Sequence, residues 1–156
     1  MDPITIFIIL LFHTSSYNIY IIFVIVSIIS LFEIGTIKKN IFLFIALFLL
    51  GGIISWVGTV KLFIIFLMLL HIITIIIFLK FVVVDFYKND IINLFYFVIC
   101  IYEISLSLKY FLTLTDVKTG IAFFYITLFF DLFIGIYFII YNEINSPKIK
   151  LKLSSE

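Results

Sequence analysis

Three ionisable residues stand deep inside otherwise apolar stretches of this 156-residue chain: His71, Glu103 and Asp131. Each can gain or lose a proton. A charged carboxylate at mid-depth in lipid costs about 2.5 to 3.5 kcal/mol on insertion scales, so it turns inward and finds a partner or keeps its proton. Counted at about 1.5 Å per residue from the same end of their stretches, Glu103 and Asp131 reach nearly the same depth. Consecutive antiparallel helices pack together, so the two carboxyls are expected to face one another and share a proton at neutral pH.

Their surroundings extend the pattern. Asn93, Tyr96, Cys100, Glu103, Ser107 and Tyr110 follow in steps of three and four, which is one continuous helix face. Thr127, Asp131 and Gly135 form a shorter counterpart, in which the glycine would let another backbone approach the carboxyl, and His71 shares a side with Thr74. One chemistry such a set allows is a proton or cation path through His71, Glu103 and Asp131, with Tyr96 and Ser107 as intermediate hydroxyls. The other is polar glue, which holds helices to one another or to those of a larger complex. The glue reading needs fewer assumptions and is the one expected. His71, Glu103 and Asp131 are also donor types a divalent metal would accept, but they come from three separate stretches with no local motif, so the metal question stays open. No cofactor is expected: a bis-histidine haem needs a second buried imidazole, and the only other one, His13, is read at the outer surface. No catalytic activity of its own is expected either, because no Ser, His and Asp grouping has a nucleophile context.

The elements that hold these residues follow from composition. Apolar residues make up 65% of the chain, charged residues 12%, and the mean hydropathy is +1.40. A soluble domain carries about 25% charged residues, and one this short could not bury so many apolar side chains, so lipid is the expected solvent. Only helices satisfy their backbone internally there without closing a barrel, and each crossing needs about 20 residues. Polar punctuation divides the chain into five such spans, over 17–36, 41–60, 62–84, 91–114 and 121–141, as one all-α bundle over 1–141 with a polar tail over 142–156. The long apolar run from Ile41 to Val84 must turn near Gly58, Thr59, Val60 and Lys61, and a break is expected at Asp85 to Asp90. The apolar residues 4–12 are too few for a regular crossing, so 4–16 is read as an interfacial segment or an extension of the first span, with an additional, distorted crossing as the alternative. The tail is expected to be irregular and at the surface.

Lysines collect on the cytoplasmic side. With the N-terminus outside, Lys38, Lys39, Lys80, Lys88, Lys148, Lys150 and Lys152 fall inside, against Lys61, Lys109 and Lys118 outside, which supports that orientation with a cytoplasmic C-terminus. Lys80 and Lys109 are close enough to span ends to snorkel to the interface. Glu33, beside Lys38 and Lys39, is read as interfacial. Helix contact in lipid relies on small residues, and Gly51, Ser55 and Thr59 at spacings of four mark one such face, with Ser27 and Ser30 a weaker one and Gly135 a third. Trp56, Tyr17, Tyr20, Tyr110 and Tyr141 suit interfacial anchors. The chain has no arginine, which disfavours nucleic acid as a partner, and its single cysteine, Cys100, excludes an intrachain disulfide.

Trp56, Val57, Gly58 and Thr59, leading into Leu62 to Leu70, resemble the aromatic, Val, Gly, Ala opening of the third helix in a small membrane subunit of respiratory complex I. The likeness covers residues 56–70, and the span before it is too short to supply that family's preceding helix and connection. It implies an energy-converting membrane complex as a setting. From the polar-glue reading and the small size of the bundle, the expected function is an accessory or structural subunit of a larger membrane complex, with proton or cation translocation as the alternative. Its expected partners are the bilayer and other membrane subunits, in a prokaryotic plasma membrane or an organellar inner membrane.

Overall fold

The computed structural model describes residues 16–32, 34–117 and 120–150. The expectations that concern residues 4–15, His13, Glu33, Lys118 and Lys152 fall outside them. The described chain is mostly helical: α1 (Ser16–Ser30), α2 (Ile34–Lys39), α3 (Ile41–Val57), α4 (Val60–Asn89), β1 (Ile91–Asn93), α5 (Leu94–Leu114), α6 (Ile121–Ile140) and β2 (Lys148–Lys150). Two of the helices, α4 and α5, are long and apolar enough to cross a membrane.

Boundaries depart from the expected spans where local hydrogen bonding decides them. The first span closes early, because Leu31 and Phe32 donate to the carbonyls of Ile28 and Ile29 in tight three-residue turns, and the Ser30 hydroxyl bonds back to Ser27 O at 2.7 Å. The turn between α3 and α4 sits at Gly58 and Thr59. Gly58 N–H caps the Ile54 carbonyl at 2.8 Å, a Cβ on Gly58 would collide with that carbonyl, and Thr59 Oγ1 accepts from Leu62 N at 3.4 Å. The break expected from Asp85 is instead helix through Asn89. Charged side chains do not stop a helix, and Lys88 in its last turn complements the helix dipole; the stop comes at Asp90, whose φ of 51° is left-handed.

The chain clusters into two compact units, up to Leu70 and from His71, with the division inside α4. In the first unit Ile21, Ile25 and Ile28, spaced as one face of α1, are buried against α3. A Cβ on Gly51 would lie 3.0 Å from Ile21 Cγ2 and 3.1 Å from Ile25 Cδ1, so this glycine sets how closely α1 and α3 approach. Phe32 packs edge-on against Phe44, with ring centroids 5.5 Å apart. Of the other small residues expected at this contact, Ser55 is half-buried, while Thr59 lies in the turn and is exposed, as is Ser27.

In the second unit, β1 and β2 pair antiparallel with Ile92 opposite Ile149, so the segment after α6 folds back over the start of α5. This corrects the expectation of an irregular tail. After α6 the chain reverses in a turn held by Asn142 and Asn145, whose side chains bond the turn's own backbone. Asn93 is buried at the start of α5, where its Oδ1 accepts from Phe95 N at 3.0 Å and its Nδ2 donates to Glu143 O at 3.0 Å. Tyr96 OH donates to Glu143 Oε1, and the hydroxyls of Tyr137 and Ser146 meet at 2.8 Å.

Candidate functional site

The polar groups of the second unit lie along two adjacent lines of α5. Tyr96, Glu103 and Tyr110, seven residues apart, face α4; Phe95, Tyr102 and Lys109, also seven apart, face α6. A spacing of seven brings a helix back to nearly the same side, which is why each line meets a single neighbour. The facing residues repeat the spacing: His71 and Phe78 on α4, Asp131 and Phe138 on α6.

On the first line His71 Nδ1 lies 2.5 Å from Glu103 Oε2, and the two side chains are 6% and 14% exposed. The imidazole also stacks on Tyr110, with centroids 5.4 Å apart and planes 22° apart. The ring is thus held on one edge by a carboxylate and on its face by an aromatic. Tyr96 stands further along, between its bond to Glu143 and ring contacts with Phe78 and Phe81. Cys100 is buried within the stripe. The stripe therefore faces α4, and not α6 or an outside partner as the sequence had suggested.

On the second line Lys109 Nζ lies 2.6 Å from Asp131 Oδ2. The lysine was expected to snorkel outward. Side chains lean toward the N-terminus of their helix, however, and Lys109 is less than two turns before the end of α5, so its lean carries the ammonium inward. Asp131, almost three turns into α6, leans back toward that same end. The two leans converge. Each acid thus has a base of its own, in place of the proton expected to be shared between Glu103 and Asp131.

Among the described residues, no three His, Cys, Asp or Glu side chains gather where a metal ion could be held. His71 and Glu103 meet, but Asp131 belongs to the other pair. The oxygens Ser107 Oγ and Asp131 Oδ1 are buried and have no hydrogen-bond partner among the described residues. Gly135, expected to admit a neighbour, is exposed, and an added Cβ there would meet nothing within 4 Å. Lys109 as the partner of Asp131, and Glu143 as that of Tyr96, were missed from sequence. The seven-residue spacing of Lys109 from Tyr102 and Phe95 was the available signal for the first; a contact closed through the returning tail left none for the second.

A cavity of about 350 Å³ opens beside the Lys109–Asp131 pair, with Thr113 and Thr127 adding hydroxyls to a lining that is otherwise apolar. No family model, curated protein or solved structure matches the chain, so the likeness at residues 56–70 brings no function with it.

Proposed function

We propose that this chain is a multipass integral membrane protein with five crossings, its N-terminus outside and its C-terminus cytoplasmic, serving as a structural subunit of a larger membrane complex. The observation that carries the reading is the matching of both mid-helix acids to bases on neighbouring helices, His71 to Glu103 and Lys109 to Asp131. In lipid, apolar side chains gain little by leaving the solvent, so association rests on close approach and on polar contacts such as these. A paired acid and base present no net charge to the hydrocarbon, which suits a role in holding helices together.

The apolar surface supports lipid or partner helices as the surroundings. The core helix of a soluble protein would be mostly buried, yet the most apolar stretch of α5 is 6% buried. On α3, Phe42 and Trp56 are 85% and 91% exposed. Pairing of β1 with β2 requires α5 and α6 to start and finish on one side, as two antiparallel crossings do. The helices α1 and α3, with 15 and 17 residues, fall roughly 5 to 8 Å short of the hydrocarbon thickness, a mismatch met by local thinning of the bilayer at fractions of a kcal/mol per ångström.

Extraction in a gentle detergent followed by mass spectrometry of copurifying proteins tests the reading. Stoichiometric recovery with other membrane chains is the expected result. A stable lone species that moves protons in liposomes would overturn it in favour of proton or cation translocation. That second reading draws on Ser107, whose buried hydroxyl lies one helical turn from both Glu103 and Tyr110 and keeps its hydrogen-bonding capacity. It requires Glu103→Gln with Asp131→Asn to abolish flux; unchanged flux removes it.

A further inference from the structure

The geometry points to the cavity between α5 and α6 as a binding site for the hydroxyl head of a long-chain alcohol taken up from lipid. This goes beyond the subunit reading; it rests on the membrane placement and not on the subunit role. The volume of about 350 Å³ is in the range of small-molecule sites and roughly ten times the 30 Å³ share of one water. Leu112, Phe123 and Leu128 supply apolar wall, and the polar part is the Lys109–Asp131 pair with Thr113 and Thr127.

The chemistry of the polar part selects the head group. Lys109 and Asp131 neutralise one another at 2.6 Å, so a cationic head would meet the ammonium and an anionic one the carboxylate, each adding an unmatched charge to an apolar site. A neutral head is favoured. The ammonium has three hydrogens and gives one to Asp131 Oδ2, leaving donors for a ligand oxygen. Asp131 Oδ2 keeps a lone pair, and Thr113 Oγ1, which gives its hydrogen to Lys109 O at 2.8 Å, can only accept from a ligand. The site therefore asks for one neutral group that both accepts and donates, and a hydroxyl does both through a single atom. A ketone or ester accepts only, and an alkane does neither.

The test uses the purified full-length chain in detergent micelles, irradiated with a diazirine-bearing hexadecanol, with adducts mapped by mass spectrometry. Adducts concentrated over residues 112–128 are expected, and unlabelled hexadecanol should compete roughly tenfold better than hexadecane, a difference of about 1.4 kcal/mol for the hydroxyl. Leu128→Trp, which obstructs the cavity, should remove those adducts, and Lys109→Met with Asp131→Met, which leaves most of the volume but not the polar groups, should remove the preference for the alcohol over the alkane. 1,2-Dioctanoylglycerol as a second competitor separates a simple alcohol from a glycerolipid hydroxyl: competition weaker than that of hexadecanol is expected, and stronger competition overturns the assignment to a simple long-chain alcohol. Adducts spread evenly over the exposed faces of α3 and α5, or equal competition by hexadecane, would show a water-filled or lipid-lined recess and overturn the proposal. Either Leu128→Trp or the double methionine variant suffices if the other does not fold.

Discussion

His71 and Glu103 meet at 2.5 Å in a setting almost closed to solvent, and the imidazole lies flat against Tyr110 on the same helix as its carboxylate partner. Removing one member of such a pair strands the other in low dielectric. His71→Phe and Glu103→Leu alone are each expected to lower stability by about 3 to 5 kcal/mol, whereas the double replacement, which leaves neither group unpaired, should recover most of the loss. Thermal unfolding of the four proteins in one detergent, followed by circular dichroism, measures the coupling. Additive losses would show that the two groups act independently.

The Lys109–Asp131 pair should behave differently, because its side chains are 25% and 38% exposed and water or head groups can solvate a stranded partner. A coupling of about 1 kcal/mol is expected from the cycle of Lys109→Met and Asp131→Asn. It should shrink on raising the salt, while that of His71 with Glu103 should not. Equal salt sensitivity of the two couplings would contradict the difference in burial.

Which residues share a helix face was legible in the sequence, and which neighbour each face meets was not. Steps of three and four brought Tyr96, Glu103 and Tyr110 together correctly, since that follows from helix geometry alone. A polar face that meets water fixes the rotation of a helix; the polar face of α5 meets another helix, and α4 and α6 are both largely apolar, so nothing told α4 from α6 as the neighbour. Asp85 misled for a related reason, because a charge ends an apolar span without ending the helix. The tail pairing was invisible, since a three-residue strand has too few positions to show a period, and the Asn142 to Asn145 turn that aims it reads only as polar.

Two glycines in helices should respond in opposite directions to the same change. Gly51→Leu drives a side chain into Ile21 and Ile25, and is expected to cost about 1 to 3 kcal/mol by overpacking. Gly135→Ala, in open space on α6, should raise stability by up to about 1 kcal/mol through helix propensity. Midpoints of thermal unfolding in detergent decide it. A tolerated leucine at Gly51 would show that α1 and α3 are not in close contact there.

The clasp of the returning tail over α5 predicts both local protection and topology. Leu94 N–H donates to Pro147 O at 3.1 Å, and Ile91 to Asn93 pair with Lys148 to Lys150, so amides at the start of α5 should exchange slowly although they precede the helical ladder. Truncation after Asn142 removes every one of these acceptors and should accelerate hydrogen exchange at residues 91–94 while leaving the middle of α5 unchanged. In the same geometry Lys88 and Lys150 cannot lie across a bilayer from one another, because β1 begins two residues after Asn89 and pairs directly with β2. Cysteines placed at the two positions should react with an impermeant maleimide from one side only, and the native Cys100 is buried and should stay silent. Labelling from opposite sides would break the strand pairing and, with it, the antiparallel arrangement of α5 and α6 on which the five crossings depend.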